Sequence, residues 1–166
     1  MNMFSPLNDA EELFTTLKTI LSDARRHAQV VLFTPHWGEN WQVRPSETIR
    51  TIAARVIAMG YDGILGHSAH VFHGVELIDG KPVIYDAGNL VIDYNGNRGD
   101  GRGLVWELTF NRAGITRIAG HPIHLLQNRS TPATGRIRDE ILTELQKRSA
   151  EMNAGLIIEN GVARLA

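Results

Sequence analysis

The sequence predicts an α/β fold with a mixed sheet, and three observations carry that expectation. An amphipathic helix pattern over residues 9–26 is followed by the short apolar, β-branched run QVVLFT at 29–34. A second helix pattern, opened by Pro45 and Ser46, is followed by another short run at 62–65. Residues 75–85 (VELIDGKPVIY) then hold two strand-like runs around an Asp79-Gly80 turn, which adds antiparallel pairing to a sheet begun by strand–helix units.

In the first helix Ala10, Leu13, Phe14, Leu17, Ile20, Leu21 and Ala24 recur at three- and four-residue spacings, with acids early and Arg25 and Arg26 late, as the helix dipole favours. The run at 29–34 ends at Pro35-His36-Trp37-Gly38, so it reads as a buried strand that delivers His36 to a loop. In the second helix Ile49, Ile52, Ala53, Val56 and Ile57 share a face and Gly60 stops it. The strand at 62–65 ends at Gly66-His67, so two strand–helix units send histidines to carboxyl strand ends, where open α/β sheets collect ligands. Residues 75–78 and 82–85 form a hairpin, and 89–94 read as a further strand end. The glycine-rich stretch 95–103 reads as a surface loop, and 104–110 pairs with 115–126 around a turn at 111–114. A polar stretch reaches Pro132, a last amphipathic helix spans 135–151, and a small strand follows at 156–159. With no internal repeat and no linker, residues 1–166 are expected to form one domain.

Composition narrows the function classes. At 43% hydrophobic and 21% charged residues the chain sits near the globular average. Seventeen basic residues against eighteen acidic ones leave a net charge of −1, which gives no general reason to hold nucleic acid or an anionic membrane. With no cysteine there is neither a disulfide nor a thiolate zinc site, so a metal would be held by His, Asp, Glu, Asn or backbone oxygen. The first residues, MNMFSPLNDAEEL, lack a signal peptide's bases and apolar core, and nowhere do about 18 apolar residues run together. As given, the chain is expected to be cytoplasmic.

The chemistry concentrates in ILGHSAHVFHG, residues 64–74, which holds His67, His70 and His73. The break at Gly66 favours a loop in which His67 and His70 curl around an ion; the competing reading is a pair of loop histidines bonded to backbone. The arrival of His36 at a neighbouring strand end tips the balance to metal. His73 enters the following strand, where it lines the site or assists from behind. Glu39 is a candidate ligand or acid/base, set against an ordinary exposed glutamate. Trp37, Arg44 and Asn89 are candidate substrate contacts, set against packing for Trp37 and Trp41, a solvated helix start for Arg44 and Arg50, and a turn role for Asp86 and Asn89. His27, His121 and His124 read as structural, and Arg98-Gly99-Asp100 is too short a match to carry meaning. There is no P-loop, dinucleotide fingerprint or nucleophile elbow.

Several segments together resemble the bacterial capsule-synthesis CapA (poly-γ-glutamate biosynthesis) family, itself similar to the calcineurin-type metallophosphoesterases. They are HWGENW (36–41), PSETIR (45–50), GYDGILGHSAHVFHGVEL (60–77), GKPVIYDAGNLVIDY (80–94), GLVWEL (103–108) and LQKRSAEMN (145–153), in family order. The resemblance implies half of a four-layer α-β-β-α sandwich, with His36, His67 and His70 as ligands of a two-metal centre of Mn, Fe or Zn. It also implies Asp, Asn and His ligands from a preceding half that nothing before His36 matches. Three neutral imidazoles cannot neutralise two divalent ions, so this chain alone is expected to bind one ion or none.

Two functions follow. One is metal-dependent hydrolysis or transfer of a phosphate-bearing or polyanionic substrate in capsule metabolism, completed by an N-terminal half or partner, with Glu39 or His73 assisting. The other is a non-catalytic truncated domain that binds or self-assembles as a homo-oligomer, covering the sheet edge and apolar surface left open. Should the chain be a piece of a longer CapA protein, the resemblance implies a membrane-associated or extracytoplasmic site of action.

Overall fold

The computed structural model describes residues 8–91, 101–112, 114–127 and 129–165. Along the chain run α1 (Asn8–Ala24), β1 (Leu32–Phe33), α2 (Glu47–Ala58), β2 (Gly63–Leu65), β3 (Val75–Ile78), β4 (Lys81–Ile84), β5 (Arg102–Asn111), β6 (Gly114–Leu126), β7 (Arg129–Pro132), α3 (Gly135–Ala150), β8 (Leu156–Glu159) and β9 (Val162–Leu165). The predicted α/β class and mixed sheet are present, but the strands divide into two sheets. The first has the order β1-β2-β4-β3, parallel except for the β3–β4 hairpin. The second, wholly antiparallel, has the order β5-β6-β9-β8 with β7 on β6.

Alternation along β4 shows how the layers join. Val83 packs with Phe14, Leu17 and Leu21 of α1, Ala53, Val56 and Ile57 of α2, and Ile64 of β2. The next residue, Ile84, packs on the opposite face with Val75, with Ile141, Leu142 and Leu145 of α3, and with Leu104, Leu156 and Ala163 of the second sheet. Thus α1 and α2 cover one face of the first sheet, while α3 shares a core with its other face and with the second sheet. Gly74 lets α3 come close: a Cβ there would stand 2.5 Å from the backbone of Arg148.

Where boundaries differ from expectation, the cause is local. The strand expected at 29–34 shrinks to Leu32–Phe33. Before it, Val31 N–H donates to the Asp62 carboxylate at 2.7 Å, and the Asp62 N–H donates to Val31 O at 2.9 Å, so a side chain does part of a ladder's work. After it, Pro35 has no N–H to give. Residues 89–91 belong to no strand; 92–94 lie outside the described residues, as do 95–100, including Arg98, Gly99 and Asp100. Strand β7 escaped a periodicity reading because all four of its residues are exposed, leaving no apolar alternation. Strand β9 follows Asn160-Gly161, both at positive φ, a hairpin turn signal that the sequence did contain.

Helix α2 begins at an N-cap serine, whose Oγ accepts the Ile49 N–H at 3.3 Å. Ser46→Ala is therefore expected to destabilise the chain by about 1 kcal/mol. Urea denaturation followed by circular dichroism should show a lower midpoint with an unchanged slope.

Candidate functional site

The parallel ladder between β1 and β2 decides which histidines meet. Leu32 pairs with Gly63 and Phe33 with Ile64, and the same 31-residue offset returns in an isolated parallel bridge between His36 and His67. Residues paired in register put their side chains on the same side of the sheet, so the two imidazoles face one another. Their Nδ1 atoms are 3.2 Å apart and their rings meet edge to face. Main-chain bonds hold the register, from Trp37 N–H to His67 O at 3.0 Å and from His67 N–H to Pro35 O at 3.1 Å.

Beneath the pair, Gly66 and Trp37 pack against each other. The indole Nε1 donates to Tyr85 O at 2.9 Å, passing so close to Gly66 that a Cβ there would collide with both the indole nitrogen and that carbonyl. Trp37 is thereby buried at 6% exposure, so its contribution is to pack beneath the pair.

The loop after His67 is held from the β4 side. Asp86 accepts the Ala69 N–H at Oδ2, 2.6 Å away, and the Gly88 N–H at Oδ1, 2.8 Å away, while its carbonyl takes the His73 N–H at 3.0 Å. Asn89 engages His70 twice, through Oδ1 with the ring Nδ1 at 3.0 Å and through Nδ2 with the main-chain carbonyl at 3.1 Å. Trp41 stacks on the His70 ring with centroids 5.2 Å apart, and its N–H donates to Ala69 O at 2.8 Å. Three non-glycine residues here, Trp41, Ser68 and His70, stand at φ values of 70°, 124° and 62°. Such backbone persists only where its surroundings over-determine it.

Electrostatics favour the neutral form at His67 and His73. His67 is exposed overall, but partial desolvation of its ring, and then the neighbouring His36, hold the imidazole below the ordinary histidine value. Burial lowers His73, whose Nε2 donates to Gln42 O at 2.8 Å while Nδ1 has no hydrogen-bond partner among the described residues. Metal ligation requires neutral imidazole. Two nitrogens bound at about 2.0–2.1 Å to a tetrahedral ion lie roughly 3.3 Å apart. The His36–His67 separation of 3.2 Å therefore fits two ligands of one ion. Among the described residues no group of three or more His, Asp or Glu is gathered tightly enough to hold a metal.

A family model described as "Bacterial capsule synthesis protein PGA_cap" matches residues 6–94, more than half of the chain and the whole of this constellation. The chain belongs to this capsule synthesis family. Among its relatives, the PGA biosynthesis protein CapA of Bacillus subtilis is 31% identical over 115 residues, covering 69% of this chain and 29% of that protein. The capsule biosynthesis protein CapA of Bacillus anthracis is 26% identical over 123 residues, covering 73% of this chain and 29% of that protein. A probable polyglutamine synthesis accessory protein of Mycobacterium tuberculosis is 35% identical over 77 residues, covering 46% of this chain and 20% of that protein. The chain thus matches less than a third of the length of these relatives.

Within the PGA_cap match, the predicted site residues separate into groups. His36 and His67 meet; His70 follows on the same loop, tied to Asn89, whose amide is engaged with it at both ends. Glu39 is exposed on the loop between β1 and α2. Arg44 is held by Glu151 through two bonds, of 2.6 and 2.8 Å, which tie that loop to the end of α3. His73 is 3% exposed and fastens the same loop through Gln42. Trp41 and Asp86 carry more of the geometry than their sequence context suggests. For Asp86 the signal was D-A-G, in which a carboxylate takes the N–H two residues on; for Trp41 only the fold reveals the stacking. Among the described residues no helix is long and apolar enough to cross a membrane.

Proposed function

We propose that the chain is the histidine-bearing part of a divalent-metal phosphoesterase-like domain that serves capsule or poly-γ-glutamate synthesis, its acidic ligands coming from a further segment or a partner. The observation that carries this reading is the in-register His36–His67 pair at the carboxyl ends of adjacent parallel strands, in a member of the PGA_cap family. The two sheets and their helices suit half of a four-layer α-β-β-α sandwich. The relatives, two CapA proteins and a probable accessory protein of polyglutamine synthesis, supply the biological setting.

In this reading His36 and His67 hold one Mn, Fe or Zn ion, and His70 joins them when the remaining ligands arrive. Such an ion would polarise a phosphoryl oxygen and lower the pKa of water. Glu39, exposed on the loop that follows His36, is the candidate proton acceptor or donor. His73 acts as a positioning residue, since its ring is buried against Gln42 O. Arg44 and Trp37 shape the loop on which a phosphate-bearing or polyanionic substrate would rest. A longer CapA protein carrying this segment would work at the cell envelope.

Titration of the purified chain with Zn²⁺ or Mn²⁺ tests the reading. A rise in melting temperature saturating at one ion per chain is expected, because a ligand that binds only the folded state stabilises it by mass action. His36→Ala and His67→Ala should each abolish the rise while leaving the metal-free melting temperature within about 2 °C, as both side chains are exposed. No stabilisation of the parent chain would overturn the reading. Hydrolysis of p-nitrophenyl phosphate should stay at background for this chain and appear only when the acidic portion is supplied.

A second reading, a non-catalytic binding or assembly module, draws on Trp41, Val43, Leu90 and Val91, large apolar side chains that remain exposed, Val91 at 79%. A self-associating module predicts a dimer by sedimentation, and a clean monomer counts against it.

A further inference from the structure

The two hydrogen bonds of Asn89 decide more than its own position. Its Nδ2 lies 3.1 Å from the main-chain carbonyl of His70, and a carbonyl oxygen only accepts, so the amide nitrogen must be the atom on that side. The amide oxygen is therefore the atom 3.0 Å from the His70 Nδ1, and an amide oxygen only accepts. Nδ1 must then carry the hydrogen. In the neutral ring this leaves the lone pair on Nε2. Asn89 is 6% exposed, so water competes little for these bonds. Trp41, stacked on the ring within 26° of parallel, limits its tilt.

We infer that Asn89, with Trp41, is a positioning residue that holds His70 as the Nδ1–H tautomer and so presents Nε2 as its ligating nitrogen. The arrangement contrasts with His36 and His67, which face each other through Nδ1. The constellation thus offers two kinds of nitrogen, two Nδ1 atoms from strand ends and one Nε2 from the loop. The inference rests on the metal-site reading only for its purpose; the tautomer itself follows from the hydrogen bonds.

Nuclear magnetic resonance of the ¹⁵N-labelled full chain, free of metal and at a pH where the histidines are neutral, reads the tautomer directly from long-range nitrogen–proton correlations. The expected result is Nδ1–H for His70 in the parent chain, a shift towards the Nε2–H form or a mixture in Asn89→Ala, and return of Nδ1–H in Asn89→Asp, whose carboxylate still accepts. An Nε2–H tautomer in the parent overturns the inference whether or not the variants fold. So does an unchanged Nδ1–H signal in a folded Asn89→Ala. Addition of Zn²⁺ alone separates the two readings. Perturbation of His70 Nε2, with a roughly 10–100-fold weaker affinity in Asn89→Ala and near-parent affinity in Asn89→Asp, supports both. If Nδ1–H is found but Zn²⁺ leaves Nε2 unmoved, His70 is no ligand while the positioning by Asn89 stands.

Discussion

Gly66→Ala is expected to cost on the order of 3–5 kcal/mol, a large part of the roughly 5–15 kcal/mol that stabilises a domain of this size. The added methyl meets the carbonyl of Tyr85 and the indole nitrogen of Trp37 at once, so relief of the clash requires breaking their hydrogen bond. The affected groups are buried: Tyr85 is fully enclosed, and Trp37 packs within the core beside Phe33 and Tyr85. Urea denaturation monitored by tryptophan fluorescence should show a much lower midpoint and a native spectrum shifted to the red as Trp37 moves towards water. Gly80→Ala provides the comparison. That glycine has a φ of 71° but nothing within 4 Å of an added Cβ, so its cost is confined to backbone strain of about 1 kcal/mol. Equal midpoints for the two variants would show that close packing at Gly66 is not what the position demands.

Asp86→Ala should destabilise the chain by about 2 kcal/mol at pH 7 and by roughly 4 kcal/mol near pH 4.5. The loss at neutral pH comes from the Ala69 and Gly88 N–H groups, which lose their acceptor. The pH dependence comes from the carboxyl group itself. Burial pushes it up to about 6 from 3.8, while the two backbone N–H groups pull the other way. A carboxyl with a raised folded pKa is protonated more readily in the native state. Between about 6 and 3.8 the native state therefore binds more protons, and acidification stabilises it. Above about 6 the buried carboxylate is a penalty that the alanine variant escapes. The gap between parent and variant accordingly widens as pH falls from 7 towards 4, and a gap that narrows would contradict the assigned direction. Because Asp86 also sets the loop carrying His67 and His70, the variant's Zn²⁺-dependent stabilisation should weaken with it.

Much of the first sheet was legible because its signals are local. The helix periodicities at Leu13–Leu17–Leu21 and Ala53–Val56–Ile57 correspond to buried faces of α1 and α2, and the Asp79-Gly80 turn joins β3 to β4. Less was legible where pairing, not apolar content, makes the strand. All four residues of β7 are exposed, and its existence depends on the open edge of β6. The split into two sheets was equally hidden, since it depends on how α3 packs between Ile84 on one side and Leu104, Leu156 and Ala163 on the other.

The candidate site divides along the same line. Sequence by itself determined that histidines stand at the ends of two strand–helix units, that a glycine precedes His67, and that these 166 residues offer no thiolate, because these are properties of residue type and spacing. Only the tertiary structure decided that the 31-residue register carries through to His36 and His67, that Trp37 is buried beneath them, and that Arg44 is engaged by Glu151. It alone also decided that Asn89 orients His70 and that His73 fastens a loop. The physical reason is that side-chain chemistry is written residue by residue. Which nitrogen meets which oxygen depends instead on strand register and on the close approach of backbones that are distant along the chain.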